Sequence, residues 1–130
     1  MYPYPIHDTQ WLAQRIADPH AVYLGAWHGD ELAAVGVAEL DGENRNAEMT
    51  DFATDRRFRG RGLASLLLAR LEQQSAALGL RTVFSVARAG SAAMNVPFAR
   101  TGYAYGGQLV NNIHFAAGWE SMNIWHKPLC

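Results

Sequence analysis

The stretch Arg57-Phe58-Arg59-Gly60-Arg61-Gly62-Leu63-Ala64 sets two glycines among three arginines directly ahead of an amphipathic segment. Leu63, Leu67, Leu71 and Leu78, with Ala64, Leu68 and Ser75, share one face at helical spacing, while Arg70, Glu72, Gln73 and Gln74 can face water. The spacing predicts a helix from residue 63 that stops at Gly79, a residue able to take the left-handed conformation that ends helices. A helix start leaves backbone N–H groups without partners and carries partial positive charge, and glycines let an anion come close to the backbone. The loop therefore suits a diphosphate. The competing reading of the same residues is a tight turn with solvated arginines.

Upstream, residues 47–54 alternate as a strand after the polar turn 41–46. Residues 21–27 and 32–40 are strand-like around His28-Gly29-Asp30-Glu31, which predicts an antiparallel three-stranded meander. Residues 8–16 set Asp8 as an N-cap ahead of apolar positions three to four apart and predict a short helix. Downstream, residues 82–87 read as a buried strand rich in β-branched and aromatic residues, so a strand, helix, strand unit should form a right-handed parallel crossover. A short helix ending near Thr101-Gly102 is expected next, then a strand from Tyr103 broken by Gly106-Gly107, and a last strand at 122–125. The alternation, without internal repeat, predicts one α/β domain over residues 1–130.

A chain of 130 residues with 49% hydrophobic residues can build one core and has no room for a second catalytic domain. Its formal net charge of −1 lacks the basic footprint that grips nucleic acid or an anionic membrane, so neither is an expected partner. Apolar runs such as 66–69 fall far short of the roughly 20 residues needed to cross a bilayer. Residues 1–6 lack the basic end and apolar stretch of a secretory signal, so a cytoplasmic protein is expected. Cys130 is the single cysteine and the histidines follow no ligand spacing, so no metal is expected. Gly60-x-Gly62 does not extend to a dinucleotide fingerprint, because Ser65 stands where a third glycine is wanted.

Arg59-Gly60-Arg61-Gly62-Leu63-Ala64 resembles the acetyl-CoA signature of the GNAT acetyltransferases, an (R/Q)xxGx(G/A) pattern carried here by Arg59, Gly62 and Ala64. Its place after a strand and at the head of a helix, with Thr101-Gly102-Tyr103 resembling the family's glycine-aromatic pair, extends the likeness over nearly the whole chain. The resemblance implies a mixed sheet with splayed central strands, a GNAT-like acyl-CoA N-acyltransferase fold. It further implies acetyl-CoA as co-substrate, its pantetheine along Phe52, Ala53 and Thr54 and its diphosphate over Arg59, Gly60, Arg61, Gly62, Leu63 and Ala64. Residues 46–54, 99–107, Asn111-Asn112 and Glu120-Ser121-Met122-Asn123-Ile124-Trp125 resemble a group within that family, the beta-lysine N-acetyltransferases. Those have a longer N-terminal portion, which implies that this chain opens near the fold's second helix and lacks the first strand and helix.

Acyl transfer to an amine of pKa about 10.4 is helped by a base. Glu48 and Asp51 are the carboxylates on the strand that should face the thioester, and alternation puts them on opposite faces, Glu48 beside Thr50 and Phe52. A bulge would reverse that phase, and Glu48 ranks only slightly above Asp51. The resemblance puts Phe98 where many family members carry a tyrosine that protonates the leaving thiolate, and Ser91 where an asparagine is common; both stay in the expected cofactor site. Tyr105 is the expected replacement acid, since Tyr103 holds the aromatic place that packs in the core. Asn95-Val96-Pro97 reads as an N-cap followed by proline. For a beta-lysine-like acceptor, Arg88 is the candidate for the carboxylate, and Asp51, Glu120, Asn111, Asn112 and Asn123 are the candidates for the ammonium that is not acetylated. The four tryptophans are expected in the core, Trp119 at the pocket wall.

The expected function is transfer of acetyl from acetyl-CoA to a small diamino acid by direct attack on the thioester. A GNAT-like module that binds acyl-CoA or serves oligomerisation without transfer is the alternative. A homodimer through an uncovered edge at residues 21–27 is also expected.

Overall fold

The computed structural model describes residues 18–115 and 118–129. The helix predicted over 8–16 lies outside them. Strands β1 (Ala21–His28), β2 (Glu31–Asp41) and β3 (Asn46–Thr54) form the antiparallel meander. A single 3-10 turn, Arg56–Phe58, leads to helix α1 (Leu63–Ala77), and β4 (Thr82–Arg88) returns parallel to β3. Helix α2 (Ala92–Arg100), β5 (Ala104–Phe115) and β6 (Gly118–Pro128) complete one six-stranded sheet in the order β1-β2-β3-β4-β6-β5.

Two strands differ from their sequence reading. Gly106-Gly107 does not end β5: the strand runs on through irregular register between Tyr105 and Gly107 and again between Leu109 and Ile113. The last strand reaches from Gly118 to Pro128 because it is paired on both sides, to β4 and to β5. Its hydrogen bonds come from position in the sheet and not from apolar alternation, which is what the sequence displays.

Helix α1 ends as expected at Gly79, whose φ of 84° is open to glycine at little cost. It buries Leu67, Leu68, Leu71 and Ser75 against β2 and β3. Leu68 and Leu71 join Ala38, Ala47, Met49, Val83, Phe98 and Tyr103 in the core, where each large side chain contributes about 1.5–3 kcal/mol. Helical spacing sets Glu72 on the water-facing side, but it is partly buried. Its carboxylate accepts from Tyr103 Oη at 3.0 Å and from Lys127 Nζ at 2.9 Å, tying α1 to the sheet's far half. Trp27 and Trp119 are exposed and lie outside the core, whereas Trp125 packs on it. Among the described residues, no helix is long and apolar enough to cross a membrane.

Strand pairing fixes two faces. Ala38 opposite Met49 and Ala47 opposite Val83 point toward the helices. Glu48 opposite Phe84 therefore points to the other face, and alternation along β4 adds Val86 and Arg88 to it.

Candidate active site

Strands β3 and β4 pair only from Asn46–Thr82 to Glu48–Phe84 and then part. Ser85 Oγ donates to Met49 O at 2.7 Å and bridges the two strands just before the opening. Beyond it, β3 changes phase. Met49 O points toward β4, whereas Asp55 N–H donates across to Ala33 O on the β2 side at 2.8 Å. Two odd-numbered residues would share one edge in a regular strand, so one extra residue must lie between them. It is Asp51, with φ 55°, at the register shift opposite Val35 and Val37. The bulge leaves the Phe52 and Thr54 backbones turned to the open β4 side. It also carries the Phe52 side chain to the helix face, against the added-Cβ position of Gly36. Phe52 thus lies with Met49 and not with Glu48, the reversal a bulge brings.

A cleft of about 590 Å³ opens where the strands part. Phe52, Ala53, Thr54, Arg59, Gly60, Gly62, Leu63, Ala64 and Phe98 line it; Arg61 and Ser91, also expected there, do not. Helix α1 starts at Gly62 with no side-chain cap and no acidic residue in its first turn. The orphan N–H groups of that turn are what an anion would meet. Gly60 and Gly62 both have positive φ, and a Cβ on either would meet nothing within 4 Å, so the cradle is open as a diphosphate requires. Arg57 is committed to Asp55 and Glu31, which leaves Arg59 nearer the cleft, its Nε donating to Thr54 O at 3.4 Å. The opposite wall is α2, through Ala93, Val96, Pro97 and Arg100. The sequence reading missed these four, although their spacing places them on one helical face.

Glu48 stands on the face away from α1, half-buried. Burial, and after it the charge of Glu39 directly across the strand pair, push its carboxyl above the ordinary range. Burial also raises Asp51, whose Oδ1 is enclosed without a hydrogen-bond partner. A carboxyl raised in the fold adds no penalty below its unfolded pKa and lowers stability as pH rises through the folded one. Asp51→Asn, which tolerates the left-handed backbone, is expected to unfold at a higher temperature than the parent at pH 7 and to lose that advantage near pH 4. Thermal melts at the two pH values check this; no difference at pH 7 refutes it.

The remaining candidates separate into two groups. Tyr105 and Asn123 lie on the helix face with Trp125, and Tyr105 Oη donates to Asn123 Oδ1 at 3.4 Å. Asn123 and Trp125 both donate to Asn95 Oδ1, at 3.0 and 2.8 Å, and Asn95 Nδ2 donates to Arg88 O and Ser91 O. Asn95 is thus a helix-interior anchor, and the N-cap is Ser91, which accepts from Met94 N–H. Tyr105 is outside the cleft, two strands from β4 and so about 10 Å away. Tyr103 is buried on Glu72. Tyr105→Phe is accordingly expected to keep turnover within about twofold of the parent, against about 10²–10⁴ for a positioned acid. A large loss at saturating cofactor restores Tyr105 as the acid. On the other face Arg88 pairs with Glu120 at 2.6 Å. Asn111 donates its backbone N–H to Ser121 Oγ from a bulge, with φ 46°, and Asn112 follows it in the same irregular stretch.

The family described as Acetyltransferase (GNAT) family matches residues 1–103. N-acetyltransferase YodP of Bacillus subtilis (strain 168) is 39% identical over 98% of this chain and 46% of its own length. Beta-lysine N(6)-acetyltransferase of Methanosarcina mazei is 33% identical over 99% of this chain and 47% of its own. The chain thus spans about half the length of the curated relatives it matches. In fold it is similar to the microcin C7 self-immunity acetyltransferase MccE, solved with acetyl-CoA and AMP, at TM-score 0.83, with 18% identity, 92% of this chain and 68% of that one covered. A splayed mixed sheet, an uncapped glycine-led helix at the opening and a family match over most of the sequence lead to one assignment: the chain belongs to the GNAT acetyltransferase family.

Proposed function

We propose that this chain transfers the acetyl group of acetyl-CoA to an amine of a small diamino acid such as beta-lysine. The observation that carries the reading is the opening between β3 and β4, which joins the uncapped start of α1 to a half-buried carboxyl, Glu48, on the opposite face. In this reading the first turn of α1 holds the diphosphate, with Arg59 and Arg100 beside it. The free β4-side edge at Phe52 and Thr54 pairs with pantetheine, and the Phe52 N–H faces the thioester oxygen as negative charge develops there. Glu48 takes a proton from the ammonium, and the neutral amine then attacks the thioester carbon. The carbon–sulfur bond breaks to release thiolate while the new amide nitrogen gives up its second proton to water. Phe98 has no proton to give, so water supplies it. The acceptor is supported by the two beta-lysine N(6)-acetyltransferases among the relatives, at 33% and 32% identity. A cytoplasmic location, where this co-substrate is found, belongs to the same reading.

The test is free-thiol release on mixing the protein and acetyl-CoA with beta-lysine, lysine, ornithine and spermidine in turn. Release with a diamino acid is the expected result. Calorimetric binding of acetyl-CoA with no release for any amine would instead establish a binding module. Self-association is proposed at the β1 edge, where Trp27 and Leu32 are cross-strand partners, both exposed. Sedimentation at micromolar concentration should show a dimer, and monomer alone rejects it.

A further inference from the structure

The end of β4 carries a second cleft, about 500 Å³, lined by Arg88, Ala89, Gly90, Ser91, Glu120 and Ser121. Arg88 is the one cation among those residues and Glu120 the one anion. The Arg88 guanidinium is held twice: one Nη donates to Glu120 Oε1 at 2.6 Å, and its Cζ lies over the Phe115 ring, 4.6 Å from the centroid. A guanidinium carries five N–H donors, so most of its fork remains free while its direction is set. Its side chain is 48% exposed, so the free donors are open to a ligand. Glu120 complements it in an unusual way. Oε1 serves Arg88, while Oε2 is enclosed and accepts no hydrogen bond. A carboxylate oxygen without a donor is costly, and the terminal torsion of Glu is soft enough to turn it outward toward one.

The pair is electrically neutral as a whole yet dipolar, and a lone carboxylate or a lone ammonium would meet one matching and one opposing charge. A molecule that carries both signs a few bonds apart, as beta-lysine does with its carboxylate and its 3-ammonium, meets two matching ones. Arg88 also shares a face with Glu48: both follow from the Glu48–Phe84 pairing and the alternation along β4. A molecule held at Arg88 therefore lies on the side of the sheet from which Glu48 would deprotonate it.

We infer that Arg88 and Glu120 form one clamp for the zwitterionic head of an amino acid, the guanidinium taking the carboxylate and Glu120 Oε2 the neighbouring ammonium. This rests on the proposed acetyl transfer for its meaning but not for its test. The clamp makes the site a filter: amino acids enter by the head and present their far amine, and diamines without a carboxylate are poorly held.

The test titrates beta-lysine, and separately the diamine left when its carboxylate is removed, into the protein by calorimetry. Arg88→Met keeps the apolar stem and removes the charge. It is expected to weaken beta-lysine about 10- to 100-fold, the worth of charge-assisted hydrogen bonds, and to leave the diamine unweakened or bound more tightly, since the cation that opposes its ammonium is gone. Glu120→Gln should weaken both, since both carry the second ammonium. Thermal melts confirm that each variant folds; should Arg88→Met not fold, Arg88→Lys replaces it and is expected to retain charge but lose the paired donors, falling between the two. In turnover the same variants should raise KM for beta-lysine with kcat within about threefold. Equal affinity of parent and Arg88→Met for beta-lysine overturns the clamp, as does an equal loss for both ligands. If binding discriminates as expected while no acetyl moves, the clamp stands and the transfer reading has failed.

Discussion

Glu48→Gln is expected to lower kcat by about 10²–10⁴-fold, the usual worth of a positioned general base, with acetyl-CoA affinity almost unchanged. Its surroundings supply the reason. A carboxyl at the ordinary value is a weak acceptor for the proton of an alkylammonium; burial raises Glu48, and the facing Glu39 raises it further. Only the ionised form can accept the proton, so kcat/KM should fall as pH drops through this raised pKa, at higher pH than an exposed glutamate would show. Glu39→Gln removes the like charge and should move that limb to lower pH. Because burial is the larger cause, the limb should still lie above the ordinary range. A profile with no acid limb, or a Glu48→Gln enzyme with parental turnover, would exclude Glu48 and leave Asp51 or water as the base.

The meander, α1 and β4 were legible in the sequence because each carries its own periodicity and its own stop: turns at 28–31 and 41–46, and Gly79. The uncapped start of α1 was legible for a related reason, since glycines at 60 and 62 directly ahead of an amphipathic run mark a turn into a helix with no side-chain cap. The wall across the cleft was not, because Ala93, Val96, Pro97 and Arg100 announce nothing by residue type and matter only once α2 is placed. Asp51 shows a different limit. Alternation predicts its face correctly only up to the bulge, and a bulge is decided by the partner strand's register, which is nonlocal. The same holds for Tyr105. As a residue beside the glycine-aromatic pair it looked close to the departing sulfur, yet insertion of β6 between β4 and β5 sets it two strands away. Sequence alone offers Arg88 for a substrate's carboxylate and Glu120 for its ammonium that is not acetylated, each separately. That they touch one another is a consequence of β6 pairing with β4, separated by 32 residues of sequence.

Gly62→Val is expected to abolish acetyl-CoA binding by at least about a hundredfold, because lifting a diphosphate off the helix start forfeits more than one charge-assisted hydrogen bond at about 1.5–3 kcal/mol each. Two effects of the substitution must be separated. Gly62 has φ 74°, and a side chain there carries a left-handed backbone penalty of about 1–2 kcal/mol, which lowers stability whatever the ligand does. The added Cβ itself meets nothing within 4 Å, so the valine methyls project into the open cradle without a clash inside the protein. Gly79→Val supplies the comparison: its φ is 84°, its Cβ is equally unobstructed, and it stands past the other end of the same helix. Both variants should therefore melt at similarly reduced temperatures, and only Gly62→Val should lose acetyl-CoA. Arg59→Ala should weaken binding much less, by roughly fivefold or under, because an exposed charge is worth about 1 kcal/mol at most and the backbone donors remain. Calorimetry on the three folded variants distinguishes the outcomes. If Gly62→Val binds as tightly as Gly79→Val, the diphosphate does not lie over residues 59–64, and the first turn of α1 is only the end of a helix.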